Sequence, residues 1–123
     1  MSFYDLQING YAGADFNSDS LTEESLHRAC LALKNDGVEH ILATVITDSI
    51  DSMCQKMTRI NKFRSLDPVC EKMIAGFHIE GPFLNELSGY IGAHPPEYAI
   101  MSNIDDTKRL LDSAQGLTKL VTL

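Results

Sequence analysis

Polar and apolar positions alternate along this chain with two different periods, and the switch between them recurs. Phe3-Tyr4-Asp5-Leu6-Gln7-Ile8-Asn9 alternates well enough for a strand; Gly10 ends it, with Gly13 close behind. From Ser20 the period lengthens. Leu26, Ala29, Cys30 and Leu33 recur at helical spacing, Ser20-Leu21-Thr22-Glu23 reads as a capping box, and Gly37 is the natural stop. Val38 to Thr47 contains the nearly continuous run Ile41-Leu42-Ala43-Thr44-Val45-Ile46, as expected of a strand covered on both faces. Thr47, Asp48 and Ser49 are N-cap candidates for a second helix with Ile50, Met53, Met57 and Ile60 on one stripe. Pro68 is expected to mark the loop into a third strand, which runs from Lys72 through Gly76 to Phe77-His78-Ile79-Glu80 and is halted by Gly81-Pro82. After a long loop from Gly81 to Pro96, a helix is expected from about Ile104 to Ser113, with Leu110 and Leu111 inward and Gly116 as its stop. Lys119-Leu120-Val121-Thr122-Leu123 begins a fourth strand.

The resulting order, βαβαβαβ, implies parallel strands joined by right-handed crossovers, hence a doubly wound sheet or a β/α barrel. A closed barrel needs eight strands and typically ~250 residues. Four strands in 123 residues therefore predict half of one, a single domain over residues 1–123. The pattern also stops inside its last strand, which suggests a fragment. Half a barrel leaves its first and fourth strands with open edges, so self-association is expected.

Composition narrows the function classes. Hydrophobic residues make up 44% of the chain and charged residues 22%, with no apolar run near the ~20 residues of a membrane span. The net charge of −7, with ten scattered lysines and arginines, argues against nucleic acid or an anionic membrane as partner. The opening Met-Ser-Phe-Tyr-Asp-Leu has neither a basic nor an apolar leader region, so the cytoplasm is expected. Cys30, Cys54 and Cys70 are odd in number and lack CxxC spacing, which predicts free thiols. Asn9-Gly10-Tyr11-Ala12-Gly13 matches neither the dinucleotide fingerprint nor a P-loop.

Candidate chemistry gathers at the tip of the third strand. With a side-chain period of two, His78 and Glu80 share one face. Two readings are open there: Glu80 caps a loop amide and His78 is a satisfied core histidine, or the two belong to a site. Gly81, Pro82 and the downstream Gly92-Ala93-His94-Pro95-Pro96-Glu97-Tyr98, which brings in another histidine, favour the second. Gln7 and Asn9 share a face at the end of the first strand. His27 falls on the polar side of its helix and His40 at the opposite end of the second strand, so solvated and structural roles are expected for them. A hydrolytic metal centre needs about three protein ligands plus water. Glu80 supplies one and cannot suffice alone.

The run His78-Ile79-Glu80-Gly81-Pro82-Phe83-Leu84-Asn85, followed by Gly92-Ala93-His94-Pro95-Pro96-Glu97-Tyr98, closely resembles the N-acetylglucosamine-6-phosphate deacetylases of the amidohydrolase superfamily. Asp5 to Phe16 is similar to the first strand of those enzymes. The resemblance implies a partial (β/α)8 barrel of the metal-dependent hydrolase type. Its metal ligand from the third strand is Glu80, while two further histidine ligands and the general-base aspartate lie beyond Leu123. It implies contacts from Ala93 and His94 to an amino-sugar phosphate. Gln7 and Asn9 standing where many amidohydrolases carry His-x-His imply a one-metal site, most often zinc, with Gln7, Asn9 and His78 on the pocket floor. The family's small β domain and the second half of its barrel are absent. The implied reaction hydrolyses N-acetylglucosamine 6-phosphate to glucosamine 6-phosphate and acetate, and this chain by itself is expected to be inactive. Two alternatives are a short non-catalytic sugar-phosphate-binding or assembly module with the same fold, and another amidohydrolase such as a dihydroorotase-like enzyme. The Gly92 to Tyr98 loop argues against the latter.

Overall fold

In the computed structural model, which describes residues 2–123, the alternating periods become four parallel strands joined through helices. In chain order the elements are β1 (Phe3–Ile8), a small antiparallel hairpin β2 (Gly10–Tyr11) and β3 (Ala14–Asp15), α1 (Glu23–Asn35), β4 (Val38–Val45), α2 (Ile50–Leu66), α3 (Pro68–Met73), β5 (Ile74–Glu80), a 3-10 turn at Pro96–Tyr98, α4 (Ile104–Ser113) and β6 (Thr118–Thr122). The main sheet has the order β1-β4-β5-β6, all parallel. Because spatial order follows chain order, crossovers of one hand lay every helix on the same side of the sheet. That is the layout of a β/α barrel wall.

Local chemistry accounts for most element ends. The Thr22 hydroxyl accepts from the Ser25 amide while Ser25 reaches back to the Thr22 amide, so the capping box sits two residues later than the expected Ser20 start. Gly37 follows α1 at φ +88°, the left-handed stop that glycine allows. Ser49 caps α2, whose Met53, Met57 and Ile60 are buried as expected. Asp48 just ahead of the cap accepts from Lys56 Nζ at 2.7 Å, which lets that ammonium be 5% exposed.

Three expectations are corrected. Pro68 does not mark a loop: it opens α3, with Asp67 as the N-cap accepting from the Val69 and Cys70 amides, because the missing proline N–H costs nothing in a first helical turn. Lys72 and Met73 belong to that helix, so the third long strand begins at Ile74. Leu111 is not inward: it is 43% exposed, while Leu110, at 2%, is the residue of α4 that enters the core. A short helix lying on α2 buries a narrow stripe, and one residue's rotation of ~100° carries Leu111 to the rim. The β2–β3 hairpin was not anticipated; it turns through Ala12 and Gly13, both at positive φ.

The core lies between sheet and helices, where Phe16, Leu26, Leu33, Ile41, Met53, Met57, Ile60, Ile74, Phe77 and Ile79 are buried. Each such side chain contributes roughly 1.5–3 kcal/mol of transfer free energy. The sheet's outer strands differ. Phe3, Tyr4 and Leu6 on β1 are each more than half exposed, and β1 and β6 each pair on one side only. Cys30, Cys54 and Cys70 are free thiols. No helix among the described residues is long and apolar enough to cross a membrane.

Candidate functional site

The inner face of β5 carries Gly76, His78 and Glu80 in ascending order toward the C-terminal end of the sheet. At Gly76 a Cβ would lie 2.4 Å from the Leu117 carbonyl oxygen, so only glycine fits at this level. His78, 4% exposed, comes next. Its Nδ1 donates to the Leu6 carbonyl at 3.1 Å, and its Nε2 lies 2.7 Å from Thr122 Oγ1. The ring thus ties β1 to β6 across the inside of the sheet. Both nitrogens are occupied, so His78 is a brace beneath the mouth. Thr44, level with His78 on β4, is spent in the same way, accepting from the Ile8 amide at 3.0 Å.

One step higher the carboxylate of Glu80 meets side chains from two distant parts of the chain. Gln7 Nε2 donates to Oε2 at 3.1 Å, and His94 Nε2 stands 3.3 Å from Oε1. Thr47, just past the end of β4 and 3% exposed, donates its hydroxyl to the Glu80 carbonyl at 3.1 Å and lies 2.9 Å from His94 Nδ1. Asn17 supports this corner: its Nδ2 donates to the Thr44 carbonyl at 2.9 Å and its Oδ1 accepts from the Ile46 amide at 3.0 Å. The strand then turns away at Gly81, where φ is +75° and a Cβ would fall 1.9 Å from Thr47 Oγ1.

Of the residues singled out in the sequence, Glu80, Gln7 and His94 converge. His78 sits directly below them, used up as a brace. Asn9 is exposed and lines a shallow surface cavity with Gly10, Tyr11 and Asp15, where its side chain makes no hydrogen bond to the cluster. Ala93 is exposed beside His94 and offers backbone groups alone. Sequence reasoning missed Thr47, which it treated as a helix cap. The available signal was a hydroxyl at a strand end facing the tip of a neighbouring strand that continues in glycine.

Glu80 offers an anionic carboxylate, His94 a ring nitrogen and Gln7 an amide that can turn its oxygen inward. Among the described residues no group of three or more His, Cys, Asp or Glu side chains could hold a metal ion. The one aspartate close in sequence to Thr47, Asp48, is committed to Lys56, Ser52 and the Ser49 amide. Burial alone would raise its pKa, but these bonds hold it below the usual carboxylate range. The described residues of the cluster therefore lack the three ligands of a hydrolytic centre.

A second histidine–carboxylate pair lies elsewhere: His27 is partly solvated, as expected on the polar side of its helix, and is also bonded. His27 Nδ1 sits 2.5 Å from Asp67 Oδ2, joining α1 to the cap of α3. The Cys70 thiol donates to the same oxygen at 3.4 Å. Burial would raise the Asp67 pKa, yet the bond from His27, the Val69 and Cys70 amides and that thiol hold it below the usual range. His40, as expected, is structural: its Nδ1 bonds the Lys72 carbonyl and its ring leans on Tyr4.

No family model matches the chain. The N-acetylglucosamine-6-phosphate deacetylase of Bacillus subtilis (strain 168) is 29% identical over 121 residues, which is 97% of this chain and 30% of that protein. The N-acetylgalactosamine-6-phosphate deacetylase of Shewanella sp. (strain ANA-3) is 34% identical over 128 residues, 98% of this chain and 29% of that protein. Among solved structures, a variant N-acetyl-D-glucosamine-6-phosphate deacetylase from Mycobacterium smegmatis, in complex with N-acetyl-D-glucosamine-6-phosphate, superposes with a TM-score of 0.82 at 24% identity. It covers 99% of this chain and 30% of that one. The last likeness speaks for the fold, the first two for kinship. Along nearly its whole length the chain resembles these amino-sugar-phosphate deacetylases, as a stretch spanning about 30% of the length of the relatives it matches.

Proposed function

We propose that the cluster around Glu80 is this chain's share of an amide-hydrolysing centre for N-acetylhexosamine 6-phosphates, with N-acetylglucosamine 6-phosphate as substrate. The observation that carries the reading is the convergence of Glu80, Gln7 and His94 at the C-terminal end of a parallel sheet, the end at which β/α barrels assemble their sites. Glu80 would ligate a divalent cation, zinc by our proposal. Gln7 steadies one carboxylate oxygen, and the other stands 3.3 Å from His94 Nε2. His94 and the backbone at Ala93 would contact the sugar. When bound, such a cation supplies an activated water and polarises the scissile carbonyl.

The 123-residue polypeptide by itself is assigned no turnover, since it contributes one anionic ligand and Asp48 is not free to act as general base. The same shortfall favours a second reading, a sugar-phosphate-binding or assembly module that keeps the fold without the reaction. The open edges of β1 and β6 support association with a second copy or with further strands. The setting assigned is the cytoplasm, in keeping with three free cysteines. The test is acetate release from N-acetylglucosamine 6-phosphate with zinc supplied. The purified polypeptide is expected to release none above the blank, and sustained release would overturn the inactive assignment. Saturable binding of the sugar phosphate without release would favour the module.

A further inference from the structure

His94 reaches Glu80 from a loop that has little else to hold it there. Among the described residues, the backbone bonds of 84–99 stay within the loop and its neck: Leu84 to Pro82, Tyr90 and Ile91 to Leu87, His94 to Ile91, Tyr98 to Pro95, Ala99 to Pro96. Ile100 closes the neck on the Pro82 carbonyl at 3.0 Å. The polar links from this loop to the strand ends are both made by His94, one to Glu80 at 3.3 Å and one to Thr47 at 2.9 Å. Thr47 is the fixed member of that trio, being 3% exposed and bonded to the Glu80 carbonyl at 3.1 Å.

The proton inventory gives the contact a direction. A carbonyl oxygen can only accept, so the single hydroxyl proton of Thr47 is committed to Glu80. What remains on Oγ1 is lone pairs, and His94 Nδ1 must therefore donate. With Nδ1 anchored, the ring's other nitrogen is aimed at the Glu80 carboxylate. The pocket for this hydroxyl exists because residue 81 has no Cβ; one there would lie 1.9 Å from Oγ1.

We infer that Thr47 is a positioning residue of the Glu80 site, its hydroxyl holding His94 with Nδ1 protonated and Nε2 facing the carboxylate. This rests on the reading of Glu80 as the site's centre, but its test does not depend on cation binding or turnover. It is a nitrogen-15 NMR measurement of the His94 ring in the uniformly labelled chain. The wild type is expected to show a protonated Nδ1, Thr47→Val to lose that signature and broaden the resonances of residues 91–95, and Thr47→Ser to restore both. A bare Nδ1 in the wild type overturns the inference without reference to any variant, as does a Thr47→Val spectrum identical to the wild type. If Thr47→Val fails to fold, the wild-type and Thr47→Ser spectra still decide. Failure of the acetate or sugar-phosphate experiments leaves these spectra readable, so the two readings fail separately.

Discussion

Among the described residues two histidine–carboxylate pairs share their chemistry and differ in their surroundings. In one, His27 and Asp67 meet at 2.5 Å where α1 packs beside α3. In the other, His94 and Glu80 stand 3.3 Å apart at the tips of the strands. Asp67 has no oxygen to spare. One caps α3 through the Val69 and Cys70 amides, and the other takes His27 and the Cys70 thiol. Glu80 spends no oxygen on a helix end and receives partners that arrive from a strand edge and a long loop. The first carboxylate is tied to the backbone of the helix it caps; the second, met by side chains alone, is the one we propose for a ligand. Residue type does not separate the two cases; the backbone amides that Asp67 caps do.

Substitutions should split along that line. Asp67→Ala is expected to have the largest effect, costing about 2–4 kcal/mol of unfolding free energy by urea denaturation, the sum of a lost N-cap and buried hydrogen-bonding groups left unpaired. Glu80→Gln, isosteric and without a cap to lose, should cost less than about 1 kcal/mol in the same measurement. An equal loss in the two variants would erase the distinction.

Acid should separate the pairs next. The Asp67 and Asp48 carboxyls are held below the ordinary carboxylate range in the folded chain. Their contribution is complete above the unfolded value, about 3.9, and is lost as pH falls through the lower folded values. Stability followed from pH 6 downward should therefore decline below about pH 4, and Asp67→Asn should flatten that decline. An unchanged slope in Asp67→Asn would remove Asp67 from the account. A smaller effect is expected from His27→Gln, about 1 kcal/mol, since the histidine is partly solvated. The smallest belongs to Gln7→Ala, within about 0.5 kcal/mol of wild-type stability, because it leaves an exposed edge strand.

The course of the chain was legible where periodicity is long and caps are local. α4 appears from Ile104 to Ser113 as its pattern requires, and the apolar run from Ile41 to Ile46 lies in or beside the covered strand β4. The β2–β3 hairpin was not, because two residues per strand leave no period to detect. α3 was missed by weighing Pro68 as a breaker when Asp67 before it made the proline a helix start. In the site, Glu80 and His94 could be singled out from the strand end and its loop. The His27–Asp67 contact spans 40 residues, and the Thr47–His94 contact spans 47. No local rule predicts which distant side chain occupies an oxygen.

Glu80 is the carboxylate of this chain that we propose faces a ligand. Titrating zinc into the labelled polypeptide and following side-chain and backbone resonances tests it most directly. The expected result is a set of shifts confined to Gln7, Glu80 and His94 and abolished by Glu80→Gln. Shifts centred on His27 and Asp67, or a response that survives Glu80→Gln, would contradict it.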